Sequence, residues 1–80
     1  MKQYLRRGQL AKALGSTTPT VKYYTSLGLF PIERKTAHGQ YLYNFEEIKA
    51  RFLQIKELKQ KRLTMQEIKD RLSIESLVRD

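Results

Sequence analysis

The segment 18–23 of this 80-residue chain concentrates side chains that suit contact with nucleic acid. The Lys22 amine can neutralise a phosphate or donate a hydrogen bond to guanine O6 or N7. The hydroxyls of Thr18 and Thr20 can bond phosphates or touch a thymine methyl, and the Tyr23 hydroxyl can donate to a phosphate. If the segment opens a helix, the helix N-terminus adds its own attraction for an anion. These side chains together predict a DNA-contacting helix.

A second group of candidate contacts surrounds a turn at residues 36–39. Arg34, Lys35, Thr36 and His38 place cationic and hydrogen-bonding groups on a protruding ribbon, which suits the DNA backbone or the minor groove. His38 is the sole histidine and has no cysteine or paired carboxylates at ligand spacing, so no metal site is predicted. A hydrogen bond at the tip of the ribbon is the simpler role for this side chain.

Composition excludes several classes of protein. Without cysteine, the chain has no disulfide scaffold, thiolate metal site or cysteine nucleophile. A Gly-rich phosphate loop and a serine or lysine nucleophile arrangement are also missing, so we expect neither catalytic turnover nor a cofactor. Sixteen Lys and Arg against eight Asp and Glu give a net charge of +8, and seven basic residues but one acidic residue lie in 1–43. The expected partner is therefore acidic.

Length and hydropathy predict one small intracellular domain. Eighty residues are enough for a single compact unit, and 40% apolar residues are enough for a modest core. The uninterrupted apolar runs are too short for a membrane span or for the core of a signal peptide. We therefore expect a soluble cytoplasmic protein with no membrane partner, associated with the nucleoid if its partner is DNA.

Glycine, threonine and proline delimit two short helices early in the chain. Apolar residues at helical spacing predict the first helix over 8–14, and Gly15 ends it. A threonine hydroxyl can cap the second helix, and Pro19 is tolerated in its first turn because proline has no N–H to lose. This second helix is expected to run to about residue 27 and to end at Gly28.

The second helix is predicted to have one buried and one outward face. Val21 and Tyr24 lie three residues apart and can face the core, so Thr18, Lys22 and Tyr23 project elsewhere. A short helix, a glycine-containing turn and a second helix form the helix-turn-helix arrangement, which presents the second helix to a major groove. This arrangement connects the outward side chains with double-stranded DNA.

A hairpin and two further helices complete the predicted fold. β-forming residues between 30 and 43 flank a turn in which Gly39 supplies the positive φ, which predicts a hairpin, the wing. Asn44 with Glu47 forms a capping-box pair that starts the third helix, and Thr64 with Glu67 repeats this signature for the fourth. The apolar stripes expected in the core are Phe45, Ile48, Phe52, Ile55 and Leu58, then Met65, Ile68 and Leu72.

The C-terminal residues need a separate reading. Ile74, Leu77 and Val78 share a face, but on a helix continued from residue 65 that face points away from the apolar stripe. Either the helix breaks at Ser73 and folds these residues back, or they begin an apolar seam that awaits a second chain. We favour the second reading, in which Ile74, Leu77 and Val78 support dimerisation.

The fold class is therefore mainly α with a small β-hairpin wing and about four helices. We divide the chain into a winged helix-turn-helix domain over 1–72 and a C-terminal stub over 73–80 that starts a dimerisation helix. The segment 8–72, about four fifths of the chain, resembles the N-terminal winged helix-turn-helix of the MerR family of bacterial transcription regulators. The matching residues are Gly8, Gln9, Leu10, Ala11, Gly15, Thr20, Val21, Lys22, Tyr23, Tyr24, Gly28, Leu29, Pro31, Lys35, Thr36, Gly39, Tyr43, Leu63, Thr64, Met65, Glu67 and Ile68.

By this resemblance, Lys22, the pair Tyr23 and Tyr24, and Lys35 are implied to contact DNA. Tyr41 joins the candidate DNA contacts because it stands where the wing of the family commonly has Arg. Family regulators continue into a long dimerisation helix and an effector-sensing region. The resemblance therefore implies a homodimer, and we expect no small-molecule effector for these 80 residues.

Other positions depart from the family pattern. Thr25 replaces the usual acidic residue after the tyrosine pair, Arg7 stands where isoleucine is expected, and Arg62 stands where glycine is typical. These departures prevent any operator preference from being carried over to this chain.

Three functions fit the sequence. The first is a sequence-specific DNA-binding, MerR-like transcription regulator without an effector-sensing domain, acting as a dimer on a pseudo-palindromic site. The second is an excisionase-like or architectural protein that bends DNA, which needs the same winged domain. The third is a basic module that docks on an acidic protein or an anionic membrane surface. Sequence preference, DNA bending and indifference to duplex sequence distinguish the three.

Overall fold

A computed structural model describes the backbone of residues 3–78 and the side chains of residues 3–72. This part of the chain forms four helices and three short strands, as the predicted fold class requires. The elements in chain order are β1 (Tyr4–Arg6), α1 (Arg7–Leu14), α2 (Thr18–Ser26), β2 (Arg34–Lys35), β3 (Tyr41–Asn44), α3 (Phe45–Gln60) and α4 (Met65–Val78).

The first two helices end and begin where the sequence predicts. Gly15 adopts a left-handed conformation with φ 68° at the C-terminus of α1, where its N–H donates to the carbonyl oxygens of Ala11 and Lys12. Thr17 caps α2 because its side-chain oxygen accepts a hydrogen bond from the Thr20 N–H. Proline follows in the first turn. A tight helix-turn-helix results.

The wing is part of a sheet with a third strand that the sequence did not predict. The strand order is β1-β3-β2, and both pairs are antiparallel. β1 pairs Leu5 with Tyr43, and β2 pairs Lys35 with Tyr41. A three-residue strand is too short to display a period of two. Because its hydrogen-bond partner β3 is distant in sequence, only the folded chain defines β1.

Capping interactions start α3 and α4 as predicted. The Asn44 side chain accepts a hydrogen bond from the Glu47 N–H at 3.3 Å. At α4 the box is reciprocal: the Thr64 hydroxyl accepts from the Glu67 N–H at 3.1 Å, and the Glu67 carboxylate accepts from the Thr64 N–H at 3.0 Å. The hydrogen bond from the Thr64 N–H, followed by a contribution from the Thr64 side chain, lowers the pKa of the Glu67 carboxylate.

One core joins the helices to the sheet. Val21 and Tyr24 of α2 are buried, which confirms the predicted inward face of this helix. Most residues of the predicted apolar stripes on α3 and α4 are also buried, although Phe45, Phe52 and Met65 are half-buried at the edge of the core. The buried residues are Leu10, Ala11, Val21, Tyr24, Leu29, Phe30, Tyr43, Ile48, Ile55, Leu58, Ile68 and Leu72.

The backbone of α4 continues without a break through Ser73 to Val78. The alternative in which the helix breaks at Ser73 is therefore wrong. The side chains of Ile74, Leu77 and Val78 lie outside the described side chains, so their dimerisation role stays a prediction. Over the described residues, each helix is too short or too polar to cross a membrane.

Candidate nucleic-acid interface

The outward face of α2 carries the side chains predicted to touch DNA. Thr18 and Lys22 are exposed, and half of the Tyr23 surface is accessible to solvent. With Pro19 and Ser26 they line a shallow groove, the helix-face groove. The structure thus brings together three of the four candidates from this helix on one open surface.

Thr20, the fourth candidate, has a different position. It is half-buried, and its hydroxyl lies 2.9 Å from the Thr17 hydroxyl in a direct hydrogen bond. Because the Thr17 oxygen also accepts from the Thr20 N–H, the two threonines hold each other at the start of α2. The geometry therefore gives Thr20 a part in capping this helix.

Thr25 and Tyr43 tie α2 to the central strand of the sheet. The Thr25 hydroxyl donates to the Val21 carbonyl oxygen at 2.7 Å and lies 2.7 Å from the hydroxyl of fully buried Tyr43. Since the single Thr25 hydroxyl proton is already used, Tyr43 is the donor in the second bond. Sequence reasoning noted Thr25 only as a departure from the family pattern, because no local spacing reveals a partner on β3.

The two cationic side chains of β2 lie on opposite faces of the sheet. Successive side chains on a strand alternate in direction, so Arg34 and Lys35 diverge. The Arg34 guanidinium stacks over Tyr4, 4.6 Å from the ring centroid. The Lys35 amine lies 5.2 Å from the centroid of the half-buried Tyr41 ring. The predicted wing cluster is therefore divided between two surfaces.

Thr36 shapes the turn of the wing. Its N–H donates to the Gln40 carbonyl oxygen at 2.8 Å, and its hydroxyl accepts from the Gln40 N–H at 3.1 Å. Gly39, with φ 79°, donates its N–H to the Thr36 carbonyl oxygen. His38 is exposed on this turn. Of these two predicted contacts, only His38 presents its side chain freely.

Three adjoining surface depressions connect the wing with α2. The wing cleft shares Gly8 and Gln9 with a middle groove, and the middle groove shares Thr18 with the helix-face groove. We refer to the three depressions together as the track. The wing cleft is lined by Arg6, Arg7, Gly8, Gln9, Gly39, Gln40 and Tyr41, and the middle groove by Gly8, Gln9, Ala11, Lys12, Ser16, Thr17 and Thr18.

Each depression of the track is lined by at least one cation, and none of its lining residues is acidic. Arg6, Arg7 and Lys12, which the sequence did not mark as candidate contacts, lie along it. Charges of one sign along a concave surface attract an extended polyanion. Among residues 3–72, no group of three or more His, Asp or Glu side chains is arranged to hold a metal ion.

A helix-turn-helix followed by a β-hairpin defines the class of winged helix-turn-helix proteins. Residues 5–74 match the family model described as "MerR HTH family regulatory protein". The chain therefore belongs to the MerR family of helix-turn-helix regulatory proteins. This finding confirms the family suggested by the sequence motifs.

Individual relatives agree with this assignment. The chain is 35% identical over 72 residues to the HTH-type transcriptional regulator ZntR homolog of Haemophilus influenzae, covering 90% of this chain and 53% of that protein. It is 40% identical over 67 residues to the HTH-type transcriptional regulator CueR of Bacillus subtilis, covering 84% of this chain and 46% of that protein. The chain thus spans about half the length of these curated relatives.

A solved structure shares the fold. The crystal structure of a MerR-family transcriptional regulator from Bacillus cereus superposes with a TM-score of 0.74 at 20% sequence identity. The similarity covers 96% of this chain and 60% of that one. It confirms the predicted winged helix-turn-helix fold across the described elements.

Proposed function

We propose that this chain is the sequence-specific double-stranded DNA-binding module of a transcription regulator. In this proposal α2 enters the major groove and the wing contacts the neighbouring backbone. One observation carries it: the track runs from the wing to the outward face of α2 without an acidic lining residue. An extended surface with a cation in each depression and no carboxylate suits a duplex better than a small acidic ligand.

We assign base reading to the exposed face of α2. Lys22 donates to guanine O6 or N7, Thr18 touches a neighbouring base or phosphate, and Tyr23 donates its hydroxyl to a phosphate. On the wing, Lys35 and His38 contact the backbone, because both are exposed near the turn. These contacts position the duplex and leave sequence preference mainly to Lys22.

The remaining candidates support these contacts. Arg34 adds charge from the opposite face of the sheet, where it stacks over Tyr4. Thr20, Thr36 and Tyr41 act mainly by shaping α2 and the wing, because each is half-buried and engaged by another residue.

A selection of random duplexes against the purified chain, followed by titration of the enriched duplexes over a salt series, tests this proposal. Enrichment of a motif with inverted half-sites would support a dimeric regulator. Direct repeats that are bent on binding would instead support an excisionase-like or architectural protein. Salt-sensitive binding with no enriched motif would contradict sequence-specific recognition and direct attention to an acidic protein or membrane surface.

The proposal also covers assembly and location. We assign DNA binding to residues 1–72 and homodimerisation to 73–80, through Ile74, Leu77 and Val78. The protein would act on the nucleoid in the cytoplasm by binding alone, without catalytic turnover. Sedimentation of the chain free and on an enriched duplex tests the dimer: a strict monomer at high concentration and on DNA would contradict it.

A further inference from the structure

The wing cleft contains cations that the proposed base-reading helix does not use. This depression of about 500 Å³ lies between the start of α1 and the turn of the wing. Arg6 and Arg7 line one side, and Gln40 and Tyr41 line the other. Its lining includes guanidinium and amide donors but no carboxylate, so its chemistry suits an oxyanion.

Arg7 is held in this cleft by an aromatic ring. Its guanidinium carbon lies 5.4 Å from the centroid of Tyr41, and the Lys35 amine lies 5.2 Å from the same centroid. Each cation is attracted by the face of the ring. The Tyr41 ring therefore contacts one cation from α1 and one from β2.

The hydrogen-bonding capacity of Arg7 is not used within the described part of the protein. Its Nε is buried and has no hydrogen-bond partner there. Among the described residues, no carboxylate forms an ion pair with Arg7. An arginine fork matches a phosphate in shape and charge. A phosphate in the cleft would accept hydrogen bonds from the Arg7 guanidinium.

We propose that the wing cleft is a phosphate site in which Arg7, positioned by Tyr41, binds a backbone phosphate of the DNA duplex. The cleft adjoins the groove that leads to α2, because the two share Gly8 and Gln9. This continuity identifies the phosphate as part of a duplex lying on the track. The inference rests on the proposed DNA-binding function and adds a contact at the start of α1.

In this arrangement Arg7 contacts the DNA and Tyr41 is a positioning residue. The phenol ring restricts the guanidinium to the cleft, so less conformational freedom is lost when the phosphate binds. Tyr41→Phe keeps the ring face, whereas Tyr41→Leu removes it while keeping an apolar side chain. The two variants separate the positioning role from any hydrogen bond made by the Tyr41 hydroxyl.

The test uses the full chain and the duplex enriched by selection. We expect Arg7→Gln to weaken binding about tenfold, as for a lost charged hydrogen bond, and to flatten the slope of log affinity against log salt by roughly 0.9. Lys56→Gln is the matched control, because Lys56 also stacks on a ring, 5.1 Å from the Phe52 centroid, but lines none of the three depressions. Circular dichroism and thermal unfolding establish that each variant is folded.

A phosphate-neutralisation scan then locates the contact. Single methylphosphonate substitutions remove one backbone charge at a time from the duplex. We expect one position at which neutralisation weakens binding of the unaltered chain but has no further effect on Arg7→Gln. Tyr41→Phe should behave like the unaltered chain, and Tyr41→Leu should show a reduced effect at that same phosphate.

The outcomes separate this inference from the function on which it rests. If Lys22→Ala weakens binding while Arg7→Gln leaves both affinity and salt slope unchanged, the phosphate site is wrong and the DNA-binding proposal stands. If Arg7→Gln weakens binding by the same factor whichever phosphate of the duplex is neutralised, Arg7 contributes only to the general field and the specific site is wrong. If the unaltered chain binds no duplex, both proposals fail.

Discussion

Along the track, Arg6, Arg7, Lys12 and Lys22 line depressions that contain no carboxylate, whereas at the junction of α3 and α4 the charges are paired locally. There Glu57 forms an ion pair with Lys61 at 3.8 Å. The side chains of Glu67 and Thr64 each accept a hydrogen bond from the other residue's backbone N–H. A depression at this junction is lined by both Glu57 and Arg71, unlike the track. Charges of both signs therefore lie together at the junction of α3 and α4, whereas the track carries positive charge alone.

Substitutions in the two regions should therefore be detected by different measurements. Local pairs and buried apolar side chains of α3 and α4 stabilise the fold, while the cations on the track, which form no ion pair with a described carboxylate, contribute repulsion to the free protein. We therefore expect substitutions near α3 and α4 to alter the free energy of unfolding, and substitutions on the track to alter DNA affinity. The following substitutions test this division.

The largest expected effect is on stability. Ile55 is fully buried in α3, and Ile55→Ala should lower the free energy of unfolding by about 2–5 kcal/mol through lost burial and a residual cavity. Leu53 of the same helix is 57% exposed, so Leu53→Ala should change the free energy of unfolding by less than about 0.5 kcal/mol. Chemical denaturation measures both. Equal losses would show that α3 packs differently from the structure described above.

The largest effect on binding should come from α2. Lys22→Ala removes an exposed cation from the track, and we expect a loss of about 1–3 kcal/mol in binding free energy with a relaxed base preference. The free energy of unfolding of Lys22→Ala should stay within about 0.5 kcal/mol of that of the unaltered chain. Lys61→Ala, at the far end of α3, is the control. If Lys61→Ala impaired DNA binding as much, the division between the regions would be wrong.

A strained backbone conformation between α3 and α4 can be relieved by substitution. Arg62 has φ 63° in the connection between α3 and α4, a conformation that glycine adopts without steric cost. Arg62→Gly should therefore raise the free energy of unfolding by about 1 kcal/mol, with little effect on DNA affinity. Thermal unfolding and duplex titration test the two halves of this expectation. A drop in melting temperature would show that the Arg62 side chain stabilises the connection more than its backbone strains it.

The wing provides a smaller test of how the sheet faces DNA. Lys35→Ala should weaken binding to all duplexes alike and flatten the salt slope by roughly 0.9, because it removes one phosphate contact. Arg34→Ala, on the opposite face of the same strand, should have a weaker effect. Salt titrations with enriched and unrelated duplexes compare them. Equal flattening by both variants would show that both faces of the wing reach the backbone.

The smallest expected effect is a pH dependence at the start of α4. The pKa of Glu67 is lowered mainly by the hydrogen bond from the Thr64 N–H, so its charged form stabilises the folded state. This contribution is present above the unfolded pKa of glutamate and is lost as the pH falls through the lower, folded pKa. Glu67→Gln keeps an acceptor but does not titrate, so this part of the acid dependence should disappear. Denaturation curves over an acid pH series measure it, with Glu33→Gln as an exposed control.

Much of the fold could be predicted because its signals are local. Gly15, Asn44 and Thr64 delimit helices by interactions with residues no more than a few positions away. Strand β1 could not be predicted, since three residues acquire their structure only by pairing with β3. Which threonine caps α2 was similarly undecided, because a cap and a base contact need the same residue type.

The candidate site was predicted in its residue types more than in its arrangement. The outward placement of Thr18, Lys22 and Tyr23 followed from helical spacing. The separation of Arg34 from Lys35 depended on strand bounds that the sequence left open. The contact of Arg7 with Tyr41 joins two departures from the family pattern, and no spacing along the chain reveals it.

The sequence by itself determined where the helices start, which faces turn inward, the excess of positive charge and the family, because each depends on composition or on neighbours within a turn or two. Tertiary structure alone decided the third strand, the bond between Thr25 and Tyr43, and the meeting of Arg7 and Lys35 on one ring. These features join residues far apart in the chain. Such contacts depend on how packed elements meet, which a local pattern does not encode.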